Sequence, residues 1–323
     1  MAQKTGLALG GGGARGWAHI GVIRALEEAE IAVDYLAGTS IGALVGAVYV
    51  ADALDDLESF AEDITLETLL SLLDIAFPSP GLIAGDRIRE FIANYVLDRQ
   101  IEDAAIPFRC VATNFLLKQE VVLQKGPLVD AVRSSISIPG IFKPVQQEEN
   151  VYLVDGGVVN PVPVSVVRAM GAETIIGVNL NKDPKVEKAP AADNSDSDMH
   201  QSEDRTSEAA SDESDSDSGL LPALANRYEA LKGVLADQAD DWIPDPRTGL
   251  NIFDVLGNSI NMMEQRVTQI NLQTDQPTVL IEPNLMEFGI FDFHQAKPMM
   301  RRGYEAAKAM LPEIQEAIRS SSD

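Results

Sequence analysis

The sequence predicts an α/β fold with a mostly parallel central sheet, and three observations carry that expectation. Short apolar, β-branched runs alternate with segments of helical period through the first 180 residues. Two of those runs end in glycine-rich turns that lead straight into helix. A late apolar strand, Thr278-Val279-Leu280-Ile281, stands between helices with no neighbour of its own. An isolated strand is not stable, so it must add to the N-terminal sheet.

The elements follow in order. Leu7-Ala8-Leu9 reads as the first strand, and residues 17–28 as a helix with Ile20, Ile23 and Leu26 recurring on one side. Residues 33–37 form a second strand, followed after a tight turn by an apolar helix over 42–52. Asp86 stands where a carboxylate would cap a helix reaching Leu97. Residues 108–113, 120–123, 151–154 and 174–178 supply further strands. Helices are then expected over 220–239 and 252–271, with a last amphipathic helix over 298–318 bent at Pro312. The organisation is one domain over 1–323, in which residues 219–323 complete the fold around a long insertion.

Of the 323 residues, 45% are hydrophobic, enough for one large core. Fifty acidic residues against 25 basic ones leave a formal charge of −25. That excludes nucleic acid as a partner, because no basic footprint meets the phosphates, and it opposes strong attraction to anionic bilayers. The charge is densest over 193–218, with seven Asp, three Glu, eight Ser, one Arg and no aromatic or branched aliphatic residue. Such an insertion cannot recover its ordering entropy by burial and is expected to be disordered. Without it the formal charge is −16.

The lone cysteine, Cys110, lies in an apolar run and reads as a buried, reduced thiol. His19, His200 and His294 are too far apart for ligand spacing, so a His-based zinc site is not expected, and the sequence calls for no other metal or cofactor. There is no secretory signal pattern and no run of about 20 apolar residues. The expectation is a cytoplasmic protein with at most peripheral membrane contact; the oligomeric state stays open.

Gly11 to Gly16 spells G-x-G-x-x-G after a strand and before a helix. A dinucleotide site would want an acid closing the second strand, whereas that strand ends in Ala37-Gly38. The same geometry also offers backbone N–H groups to an anion at a helix N-terminus. Gly38-Thr39-Ser40-Ile41-Gly42 is a G-x-S-x-G pentapeptide between strand and helix, the setting of a nucleophile elbow, which makes Ser40 the candidate nucleophile. The histidines are poorly placed to serve as its base. Asp155, at a strand end beside Gly156-Gly157, is the better candidate, against the plainer reading of an Asp-Gly-Gly turn.

Together these three turns resemble the patatin-like phospholipases, in particular the bacterial branch similar to the esterase domain of neuropathy target esterase. Residues 134–144 and 155–163 extend the likeness. The resemblance implies a patatin-like three-layer α/β/α fold, with Ser40 as nucleophile and Asp155 as base. It implies an oxyanion hole at Gly11, Gly12 and Gly13, with Arg15 at the family's basic position, and Gly16, Gly38, Gly42, Gly156 and Gly157 as motif glycines. The function it implies is a serine acyl hydrolase acting on phospholipid, lysophospholipid or fatty-acyl esters without a cofactor. The rival is a non-catalytic lipid- or acyl-binding regulator on the same fold. Arg15 either adds charge near the substrate or pins its loop. Residues 66–83 form either a lid over an acyl chain or an ordinary core segment.

Overall fold

The computed structural model describes residues 4–74, 80–182 and 252–320. Strand β1 (Thr5–Leu9) leads through a 3-10 turn (Gly13–Trp17) into α1 (Ala18–Glu28), followed by β2 (Tyr35–Thr39) and α2 (Ile41–Val50). Next come α3 (Leu54–Asp63), α4 (Leu66–Ser71), β3 (Gly81–Ile83), α5 (Asp86–Val96), β4 (Phe108–Asn114), β5 (Gln119–Leu123) and α6 (Leu128–Ser135). Strands β6 (Gly140–Phe142), β7 (Val145–Glu148) and β8 (Val151–Asp155) precede α7 (Val164–Ala169) and β9 (Thr174–Val178). The C-terminal part supplies α8 (Ile252–Thr274), β10 (Val279–Ile281) and α9 (Ala296–Ser320).

The main sheet runs β10-β9-β1-β2-β4-β8-β7, with β5 also paired to β4. Its first five strands are parallel, and β10 lies beside β9 as the late apolar run predicts. Alternate residues face opposite layers. Leu7, Leu9, Leu36, Cys110, Ile176 and Val178 belong to a core with α1, α2 and α9. Ala8, Ala37, Val111 and Ile175 pack with α7 and with Leu272 of α8. The sheet is therefore covered by helices on both sides. Helix α2 is apolar nearly all round and buried at every position but Tyr49, as a helix enclosed by its own protein must be.

Local polar chemistry moved two boundaries. The second strand begins at Tyr35, because Asp34 turns its carboxylate onto Thr5 N–H and the Lys4 ammonium before the ladder starts. Asp86 sits in the first turn of α5, and the cap position belongs to Gly85 at φ 85°. Helix α9 runs through Pro312 as one element. Of the 66–83 segment, Leu66–Ser71 is helix with Leu69 buried, and Gly81–Ile83 pairs with β6. The acidic insertion, His200 and the helix expected over 220–239 lie outside the described residues.

One feature of the topology positions the site. Strand β5 occupies one edge of β4 from Cys110 to Asn114, so both β2 and β8 must use the other edge. Strand β2 runs parallel to β4 and ends with Thr39 opposite Val111; β8 runs antiparallel and ends with Asp155 opposite Ala112. Two strands thus meet end to end along β4, with Ser40 at one tip and Asp155 at the other.

Candidate active site

Ser40 joins β2 to α2 with φ 55° and ψ −125°, a conformation that costs a non-glycine residue on the order of 1–3 kcal/mol and must be held by its surroundings. Its N–H donates to Ser135 Oγ at 2.9 Å, and that hydroxyl donates to the Val111 carbonyl at 2.6 Å. Its carbonyl accepts from the N–H groups of Ala43 and Leu44, and Thr39 Oγ1 donates to the Asn160 carbonyl. The flanking glycines allow the bend. A Cβ at Gly38 would stand 2.4 Å from the Gly42 carbonyl oxygen, and one at Gly42 would stand 2.2 Å from that of Leu9.

Asp155 meets this bend from β8. Ser40 Oγ donates to Asp155 Oδ2 at 2.6 Å, while Oδ1 accepts from Gly157 N–H at 2.7 Å. The Asp155 backbone is fixed on both sides, its N–H donating to Ser137 O and its carbonyl accepting from Thr113 Oγ1. Both side chains are buried. Burial pushes the Asp155 carboxyl up to about 6, against the lowering effect of its bonds from Ser40 and Gly157. A carboxylate with that affinity is a better base near neutral pH than an exposed aspartate.

The Gly-rich loop passes over Ser40, a Cβ built on Gly11 lying 3.5 Å from the serine Cβ. Gly11 N–H is donated to Pro161 O, and Ala14 N–H to Ile290 O. Among the described residues, the N–H groups of Gly12 and Gly13 meet no acceptor, nor do those of Ile41 and Gly42 at the start of α2. His19 braces the loop from beneath. Its buried ring is pushed down to about 4 by desolvation and stays neutral, so Nε2–H donates to Gly10 O at 2.7 Å. Gly16 packs against the Ile41 side chain, and Gly156 against the Val111 carbonyl.

A family model described as patatin-like phospholipase matches residues 7–168, a span that holds the Gly-rich loop, Ser40 and Asp155. The chain belongs to the patatin-like phospholipase family. An uncharacterized NTE family protein of Mycobacterium tuberculosis is 40% identical over 190 residues, which are 59% of this chain and 52% of that one. Patatin-like phospholipase domain-containing protein 7 of Rattus norvegicus is 36% identical over 180 residues, covering 54% and 13% of the two chains. Lysophospholipase NTE1 of Mycosarcoma maydis is 38% identical over 183 residues, covering 55% and 10%. The chain spans about half the length of the mycobacterial relatives it matches.

Around the patatin-like core of the site stand Arg15, which the Gly-rich motif announces, and Arg133, Asn181 and Glu264, which the three catalytic motifs do not. Arg15 is buried and turns away from the loop into the C-terminal part: Nε donates to Phe288 O at 2.9 Å, and Nη1 to Asn181 Oδ1 and Asn261 Oδ1, both at 3.2 Å. These bonds are those of a pin between the Gly-rich loop and α8. Arg133 does the same on the other flank, donating to Ser137 Oγ and to the carbonyls of Ala84, Gly85 and Lys143. Since Ser137 O receives the Asp155 N–H, that arginine stiffens the wall behind the carboxylate. Glu264, from α8, completes the surroundings, with Oε2 accepting from Asn181 Nδ2 at 3.0 Å. Ser135 lies in the stretch 134–144 that the family resemblance marks. Glu264 and Asn181 have no such signal.

Proposed function

We propose that the chain is a serine acyl hydrolase that cleaves acyl esters of phospholipids, lysophospholipids or related lipids. The observation that carries this reading is the 2.6 Å bond from Ser40 Oγ to Asp155 Oδ2, made by a serine held at positive φ beneath a loop with free N–H groups. Asp155 takes the serine proton as Oγ attacks the acyl carbonyl. The carbonyl electrons move onto oxygen, which the N–H groups of Gly12 and Gly13 receive, each donor contributing about 3 kcal/mol. Collapse expels the alcohol, which takes the proton from Asp155. Water then attacks the acyl-serine, gives its proton to Asp155 and releases the fatty acid as Ser40 is restored. Gly11 is not a donor in this scheme, because its N–H is already engaged. It supports the loop instead, as does Arg15.

The lysophospholipase named among the relatives supports a lipid ester as substrate. A fluorophosphonate probe tests the nucleophile directly. Labelling is expected on Ser40 and is expected to vanish, together with hydrolysis of p-nitrophenyl butyrate, in Ser40→Ala. Hydrolysis at the wild-type rate in that variant would overturn the reading.

Peripheral contact with lipid is proposed through exposed apolar residues at the two ends of β8. Phe115, Leu116 and Leu117 are 53–65% exposed on the turn between β4 and β5, and Val158 is 48% exposed just past Gly157. The turn is tied to β8 through Phe115 N–H and Tyr152 O. With a formal charge of −25, zwitterionic lipid is the surface this protein meets without repulsion. Leu116→Asp combined with Leu117→Asp is expected to weaken sedimentation with phosphatidylcholine vesicles by about tenfold. It should lower hydrolysis of vesicle phospholipid more than that of a short soluble ester; unchanged sedimentation would refute this contact.

A further inference from the structure

The carboxyl group of Glu264 is placed against both catalytic turns. A Cβ built on Gly157 would stand 2.3 Å from Glu264 Oε1 and 3.1 Å from Asp155 Oδ1, so the two acids flank one point and cannot lie further apart than the sum of those distances. A Cβ on Gly11 would stand 3.8 Å from the same Oε1 and 3.5 Å from Ser40 Cβ. The other oxygen is fixed by Asn181 Nδ2, which also donates to Gly11 O at 3.4 Å. Asn181 in turn accepts from Arg15. The second glycine of Asp155-Gly156-Gly157 therefore has a physical reason: any side chain there would displace this carboxyl group.

The geometry points to Glu264 as a positioning residue paired with Asp155, the two carboxyl groups carrying one negative charge between them, with Asp155 the base and Glu264 holding the proton. This rests on the Ser40–Asp155 reading given above. Two carboxylates at such range cannot both ionise without cost, and the one with fewer donors keeps the proton. Asp155 has donors from Ser40 and Gly157; Glu264 has the single amide of Asn181. The charged groups facing Glu264 are Asp155 from β8 and Arg15 from the turn before α1, itself in the field of Asp292. Burial first, then the Asp155 charge, pushes Glu264 up to about 8, with Asn181 and Arg15 acting the other way. While protonated, Glu264 adds no second negative charge against Gly11, in the loop whose Gly12 and Gly13 N–H groups are assigned to the oxyanion. Once ionised it opposes the oxyanion's charge and the reaction slows.

The test is the pH dependence of kcat/KM on a short soluble ester in wild type and Glu264→Gln, which keeps an acceptor for Asn181 but cannot titrate. Wild type is expected to lose about tenfold between pH 7 and pH 9, and Glu264→Gln to lose little over the same range. An alkaline fall of the same size in both overturns the proposal. A second measurement needs no turnover: the Glu264 carboxyl carbon is followed by NMR against pH in wild type and in Asp155→Asn. Its midpoint is expected to move down by about one unit or more when the neighbouring charge is removed. An unmoved midpoint refutes the pairing. Activity surviving in Ser40→Ala would instead sink the nucleophile, an outcome that the NMR arm keeps separate.

Discussion

Asp155→Asn is expected to lower kcat/KM for ester hydrolysis by about ten-thousand-fold while making the protein more stable at pH 8. The loss follows from hydrogen-bond direction. Asp155 Oδ1 is committed to Gly157 N–H, and an asparagine keeps that bond only by placing its oxygen there. The amide nitrogen then faces Ser40 Oγ, where Oδ2 now accepts at 2.6 Å. Ser40 Oγ can then only accept from that amide, and the serine proton has no base at this position. The same requirement makes wild-type kcat/KM fall as pH drops through about 6, where Asp155 becomes protonated.

The gain in stability follows from the same carboxyl group by linkage. Its folded-state value, about 6, lies above the ordinary 3.8, so the folded protein holds this proton more tightly than the unfolded chain does. Stability from this group is present below about 3.8 and is lost as pH rises through 6. At pH 8 the buried charge costs on the order of 2–3 kcal/mol, and the uncharged amide removes that cost. Melting temperatures of wild type and variant should therefore differ most near pH 8 and converge towards pH 4. Comparing both at each pH cancels the opposite trend of His19, whose neutral ring stabilises the fold above 6.5 and ceases to do so as pH falls to about 4. A variant within tenfold of wild-type activity would remove Asp155 from the mechanism.

What could be read from the sequence was what is local. Gly38-Thr39-Ser40-Ile41-Gly42 discloses its bend because glycines and a following apolar helix are adjacent in the chain. Asp155 discloses its turn for the same reason. That the two turns touch depends on β8 approaching β4 from the opposite direction to β2 on a shared edge, and no window of sequence contains that fact. Gly11 illustrates the same limit at the level of one atom. It belongs to the motif, yet its N–H is consumed by Pro161, some 150 residues away. Glu264 was illegible for a different reason: it is one of 50 acidic residues, on an amphipathic helix where an acid ordinarily faces water. Only the fold sets it against Gly157 and Gly11.

Gly21→Ala should have the largest effect on stability, and its sign reverses the usual rule. In an exposed helix interior, glycine to alanine stabilises by about 1 kcal/mol. Here α1 crosses α9 with the two backbones in contact. A Cβ at Gly21 would stand 1.9 Å from the Met300 carbonyl oxygen and 2.7 Å from Tyr304 N; one at Gly303 would stand 1.9 Å from the Ala18 carbonyl oxygen. Backbone atoms cannot rotate aside as a side chain can, so the helices must separate and loosen the apolar contacts around Met299, Met300 and Ala307. A loss of about 3 kcal/mol is expected, read as a lower urea midpoint. Gly303→Ala should cost a similar amount, and the double variant less than the sum, because one separation accommodates both methyl groups. Gly126→Ala is the control: it meets no atom within 4 Å but sits at φ 93°, so strain alone should cost about 1 kcal/mol. If Gly21→Ala costs no more than Gly126→Ala, the close crossing is wrong. Because α1 begins at Ala18, directly after the turn that carries Gly13, a displaced α1 also moves the free N–H groups relative to Ser40. The Gly21 variant should therefore lose kcat while still folded, and the Gly126 variant should not.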